Sequence, residues 1–211
     1  MIYERVEPGA RIRQGDIFLC LPRIDFSLAK LPIVSDTATE EASWDELIDE
    51  GRNEVTAIVG MKAVTGIVIT QDCDAVRAPQ ITLCEIRPFG SVEPNAKQAA
   101  KPSSRVSVIT EQSKKNLKWF YLPPDPAFSI AERMAADFRI TISVMREDLE
   151  TLRPRRVGRL NSVADEHFRE RLSEFYRRYP VDEWYALDEE ELQKYAESHP
   201  GSEPFPWQKL A

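Results

Sequence analysis

Six short β-rich runs crowd into the first 145 residues of this 211-residue chain, and no stretch of helical periodicity separates each pair. They are Gly15–Pro22, Val55–Met61, Gly66–Thr70, Gln80–Phe89, Lys118–Leu122 and Phe138–Val144. Strands at this density, without a helix between each pair, favour a compact barrel over a sheet of βαβ units. Ile67-Val68-Ile69 is continuous rather than alternating, which predicts a strand covered on both faces. Pro22 reads as the end of the first run. The fold class expected is therefore α+β, mainly β: a small β-barrel with long insertions and a C-terminal helical extension.

Three segments interrupt the strands. Residues 36–50 hold seven acids and no Lys or Arg, within an insertion spanning 36–54. Ser43-Trp44-Asp45-Glu46 matches a capping box and Gly51 offers a stop, so a short helix is expected at 44–50. Residues 90–116, with Pro94 and Pro102, read as a long excursion with room for one helix, and 123–136 as a loop. The last third is helical. Asn161 or Ser162 can cap a helix whose apolar positions are Val163, Phe168, Leu172, Phe175, Tyr176 and Tyr179, and Pro180 ends it. A second helix is expected from Glu189 to about Glu197. The organisation expected is a barrel over 1–145, a helical extension over 146–198 and an extended tail over 199–211.

The net charge of −7 argues against coating nucleic acid by bulk electrostatics. The start of the chain has no basic segment followed by an apolar stretch, and the longest apolar runs are too short to span a bilayer. Cys20, Cys73 and Cys84 form no paired spacing, which fits a reducing, cytoplasmic setting without disulfides. No membrane association is expected.

Thr70-Gln71-Asp72-Cys73-Asp74 is the sharpest local signal, because it follows a buried strand where rigid elements position functional loops. A nucleophilic thiolate at Cys73 would need positive surroundings and a base. Its neighbours Asp72 and Asp74 are acidic, and the chain's two histidines are His167 beside core-facing Phe168 and His199 in the tail. A small buried cysteine between turn-capping aspartates is the plainer reading, with ligand binding by Asp72 or Asp74 a third. No CxxC, HxxxH, HExxH or phosphate-cradling glycine pattern occurs, so neither metal nor cofactor is expected. Residues 153–178 carry eight arginines against four acids, including Arg155, Arg156 and Arg159. Arginine suits bidentate recognition of phosphate or carboxylate, so this segment is a candidate surface for nucleic acid or an acidic partner. The plainer alternative is pairing with acids of this chain. Trp207, in Pro204-Phe205-Pro206-Trp207, suits docking in a groove.

Gly15-Asp16-Ile17-Phe18, Val68-Ile69-Thr70-Gln71-Asp72-Cys73-Asp74, Trp119-Phe120-Tyr121-Leu122-Pro123, Ala136-Asp137-Phe138-Arg139-Ile140-Thr141 and Arg159-Leu160 before the helix Ser162–Tyr179 occur in that order. In this the chain resembles a widespread bacterial family of about this length, of unsettled function. The opening also resembles, more distantly, the SH3-like barrels of MazF/PemK-type toxins, which are ribonucleases. That resemblance implies that the expected small β-barrel is SH3-like, and it implies an endoribonuclease or nucleic-acid-binding activity. The toxin pattern has Arg-Pro at the start of its second strand, where this chain has Ala63-Val64-Thr65-Gly66. The later strand that should end in Thr or Ser reads Ile86-Arg87-Pro88-Phe89. The expectation is accordingly a non-catalytic binding or adaptor component of a bacterial system, with a protein partner, in the conflict or phage-defence setting the resemblance implies. A ribonuclease and a Cys73-dependent hydrolase are the alternatives.

Overall fold

A computed structural model describes residues 2–34, 38–95, 101–115 and 117–177, together with residues 190, 193, 194 and 197. The class is α+β with mainly strands. Seven strands form one antiparallel sheet: β1 (Tyr3–Glu4), β2 (Asp16–Asp25), β6 (Gly60–Val68), β7 (Gln80–Pro88), β8 (Trp119–Leu122), β9 (Met134–Met145) and β10 (Arg156–Leu160). Their order is β1-β10-β2-β6-β7-β9-β8. A second sheet has β3 (Leu31–Val34) between β4 (Thr39–Ala42) and β5 (Thr56–Ala57). Both sheets are open; β1 and β8 end the large one without pairing to each other, in place of the closed barrel expected. A sheet covered on both faces by other elements buries its core without closing on itself.

The two faces have separate cores. On one, Ile17, Ile67, Cys84, Ile86, Phe120 and Phe138 pack with Ala164, Phe168 and Leu172 of the helix α6 (Ser162–Tyr176). Those three helical positions recur every four residues, so one stripe faces the sheet. Phe168 sits edge-on to Phe120 and Phe138, with ring centroids 5.2 and 5.6 Å apart. Val163, expected on this stripe, is 76% exposed because it lies one position off the four-residue repeat, and Tyr176, the last residue of the helix, is exposed although it continues the repeat. The opposite face packs Phe18, Leu21, Val68, Ile81, Leu83 and Ile142 with Ala75 of α2 (Asp72–Ala75) and Leu149 of α5 (Arg146–Thr151). Ile67 and Val68 are both fully buried and belong to different faces, as a continuous apolar strand requires.

β2 does not stop at Pro22. A bulge lies between Phe18 and Leu21, where Cys20 has φ +57°, and β2 then continues paired to β6 as far as Asp25↔Gly60. β10 pairs with β2 only up to Phe18, so beyond the bulge one side of β2 is free and a residue lacking N–H is tolerated there. Gly66 lets the strands close up: a Cβ there would lie 2.7 Å from Leu21 Cδ1. The run 55–61 divides into β5 and the start of β6. The acidic insertion carries β4 and α1 (Trp44–Asp49), whose capping box joins Ser43 and Glu46 as expected. Among the described residues of 89–115 are the helices α3 (Phe89–Val92) and α4 (Pro102–Lys115).

The chain divides into two compact units, 1–175 and 176–211, so the boundary expected at 145 falls inside the first. In the second unit, residues 190, 193, 194 and 197 are helical, with Lys194 paired to Glu190 at 2.8 Å. The expected tail, with Trp207 and His199, lies outside the described residues.

Candidate functional site

The Gly15-Asp16 and Thr70–Asp74 segments meet Arg159-Leu160 and the start of α6, which follows it directly, at one place. Gly15 adopts φ +82°; its N–H donates to Val68 O (3.0 Å) and its carbonyl accepts from Leu160 N (3.1 Å). This turn presents Asp16 to β10 with its side chain fully buried. Asp16 Oδ1 accepts from Arg159 Nε (2.6 Å), and Oδ2 accepts from Arg156 Nη1 (3.0 Å) and from the Arg13 backbone N–H (3.0 Å). The remaining guanidinium donors reach the carbonyls of Glu7, Ala10 and Arg11. Two arginines thus tie the 7–11 loop to the sheet through one buried carboxylate. The Arg156 side chain is only 2% exposed and that of Arg159 13%, so two of the three arginines expected to bind a partner are turned inward. Arg155 lies exposed, at the end of the 3-10 turn Arg153–Arg155.

Asp72 forms the adjoining half. As the first residue of α2 it accepts from the Gln14 N–H at Oδ1 (2.9 Å). Its Oδ2 accepts from Arg13 Nη2 (2.8 Å) and Arg169 Nη2 (2.9 Å). Arg169 also pairs with Asp165 Oδ2 at 2.7 Å, an i,i+4 contact along α6. Burial works to raise the Asp72 pKa, but the Arg13 hydrogen bond, the Gln14 N–H and the two guanidinium charges prevail and lower it. Asp165 is shifted up, first by burial and then by the Asp72 charge, against the pull of Arg169 and Arg13. Its Oδ1 is buried without a hydrogen-bond partner, 2.9 Å from where a Cβ on Gly15 would stand. A cavity of about 390 Å³ opens here, lined in part by Glu4, Arg13, Gln14, Arg159, Asp165 and Arg169. Every cation in it for which a pairing is described already holds a carboxylate, so the chemistry is that of a closed ion network.

Cys73 is exposed, in contrast to the buried cysteine expected, because α2 is one short turn that buries only Ala75. Its thiol points to Gln71 Oε1 at 3.9 Å. Asp74 is exposed and paired with Arg77 at 3.5 Å. His167 stacks edge-on against Phe120, centroids 5.6 Å apart, beside a cavity of about 730 Å³. No group of three or more His, Cys, Asp or Glu suited to a metal occurs among the described residues. The buried thiol is Cys84, pushed up by desolvation and by the Asp137 charge.

A second feature had no motif to mark it. Past its bulge, β2 leaves the large sheet with β6 as a two-stranded ribbon and leads into the small sheet and α1. Leu31, Ile33 and Leu47 form the small core of this lobe. An open groove of about 440 Å³ runs across it, lined only by Ile24, Phe26, Leu28, Leu31, Trp44, Val55, Ala57 and Val59. Phe26 is 63% and Leu28 56% exposed. The Trp44 N–H donates to Leu28 O at 2.7 Å, fixing one wall to the start of α1. Ile24, Phe26 and Leu28 alternate in the sequence, Leu28 standing in the turn that follows the strand, and Val55, Ala57 and Val59 alternate likewise. That alternation is readable in the sequence once Pro22 is not taken as a stop.

No family model matches the chain, and neither does any curated protein.

Proposed function

We propose that the chain is a non-catalytic binding or adaptor protein that meets a protein partner through the lobe formed by residues 24–59. The observation that carries this reading is the open groove whose lining is wholly apolar. Exposed contiguous apolar surface of this kind, rimmed by charge, marks interaction sites rather than ordinary surface. Two facts add support. The charged constellation around Asp16 and Asp72 uses its groups in internal pairs, and Cys73 has no described base beside it. A bacterial conflict or defence system is the setting that the family resemblance implies. Among the described residues, no helix is long and apolar enough to cross a membrane.

The test compares wild type with Phe26→Lys, with folding of both verified by circular dichroism. A protein captured by wild type is purified and the complex rebuilt from its components. A complex that weakens at least tenfold with Phe26→Lys supports the reading. Capture that does not depend on Phe26, or cleavage of total RNA by the purified chain, overturns it.

A further inference from the structure

We infer that the groove receives a short segment of another protein carrying apolar side chains flanked by lysine or arginine. This rests on the protein-binding reading above and specifies its partner. The argument is charge complementarity around an apolar seat. Residues 24–59 contain nine acids and two cations, Lys30 and Arg52. Both cations are already paired within the lobe: Lys30 with Glu41 at 3.7 Å, Arg52 with Glu40 at 2.7 Å. Asp25 is answered by Arg23 and Lys62, and Glu46 by the Ser43 cap. Asp45 and Asp49, four residues apart on exposed α1, and Glu54 beside Val55 have no ion-pair partner among the described residues. They leave the groove, walled at one end by Trp44, in a negative field.

That field selects among occupants. Nucleic acid and the anionic surface of a bilayer would both bring phosphate against carboxylate. A second copy meeting this patch on itself would set the same acidic surface against its own image, as isologous contacts require. A segment with positive flanks is attracted, and its apolar side chains gain by leaving water. The groove holds a few side chains rather than a domain face, which fits a linear segment.

The experiment selects a library of 12-residue peptides on the full-length protein, with counter-selection against the Phe26→Ser/Leu28→Ser double variant. The expected binders depend on the groove and carry net positive charge. Replacing their Lys and Arg by Glu weakens binding at least tenfold at 50 mM salt and by less at 500 mM. Asp45→Asn/Asp49→Asn, which leaves the groove intact, weakens the same peptides at least threefold, so the inference stays testable even if the double variant fails to fold. Groove-dependent peptides that are neutral or acidic overturn the inference and leave the protein-binding reading standing. An absence of groove-dependent peptides also overturns it, and the reading is then judged by whether capture of a folded protein depends on Phe26.

Discussion

Replacing Asp16 by Asn tests whether the converged motifs hold the fold together. The substitution keeps shape and removes a charge that has no water to replace it, since the Asp16 side chain is fully buried. It leaves Arg156 and Arg159 without their anion, and Arg156 is 2% exposed. Breaking a buried pair from one side costs about 3–5 kcal/mol, because the cation left behind stays desolvated. The carbonyls of Glu7, Ala10 and Arg11 still accept from both guanidiniums, which places the expected loss near the lower end, about 3 kcal/mol. Against a total stability of about 5–15 kcal/mol that is a large fraction. Urea unfolding followed by far-UV circular dichroism, fitted with a shared m-value, reads the change directly. A loss below about 1 kcal/mol, the range of an exposed ion pair, would refute the reasoning.

Asp72 has a lowered folded-state pKa, so its contribution is present above the ordinary carboxylate range and is lost as pH falls through the folded value. Asp72→Asn should therefore destabilise by about 1–2 kcal/mol at pH 7, and the gap to wild type should close on acidification; a pH-independent gap would count against the pairing. Asp165 has the opposite shift, so its ionisation opposes folding as pH rises through its raised value. Asp165→Asn should show little or no loss at pH 7 by the same urea assay, and a loss as large as that of Asp72→Asn would contradict this. Ser43→Ala removes one half of the capping box and should lower amide protection over 44–50 about fivefold, equivalent to about 1 kcal/mol, while the large sheet is unchanged. A thiol reagent should label Cys20 and Cys73 quickly and Cys84 only on unfolding, and Cys73→Ser should alter stability by less than about 0.5 kcal/mol. Fast labelling of all three thiols would contradict the burial of Cys84.

The legible parts of the fold were those governed by local chemistry. The capping box at Ser43 and Glu46, the two-faced burial of Ile67 and Val68, and the helix bearing Phe168 and Leu172 all follow from spacing alone. What escaped were features set by neighbours in space. Pro22 reads as a terminator because a proline in a central strand loses a ladder bond, yet β10 stops short of it and its strand has one free side. β10 gives no strand signal because Arg156-Val157-Gly158-Arg159 reads as a basic surface run. Its arginines point inward only because Asp16, some 140 residues earlier in the chain, lies in the adjacent strand. A charged residue's partner at that separation leaves no periodicity to read.

The same limit explains why the two candidate sites exchanged roles. Gly15-Asp16, Asp72 and Arg159 invited a chemical reading because acids and arginines near strand ends are what binding sites use. Brought together, they satisfy one another: the guanidiniums meet carboxylates, the carbonyls of the 7–11 loop meet guanidiniums, and Asp165 Oδ1 is the buried side-chain atom described there that lacks a hydrogen-bond partner. The groove between Ile24–Leu28 and Val55–Val59 carries no motif, since apolar alternation is also what any core strand shows. Its meaning depends on what is missing above it, which a sequence does not record. On the reading proposed above, the acidic insertion has a physical role: its carboxylates bias what can settle on the exposed apolar surface.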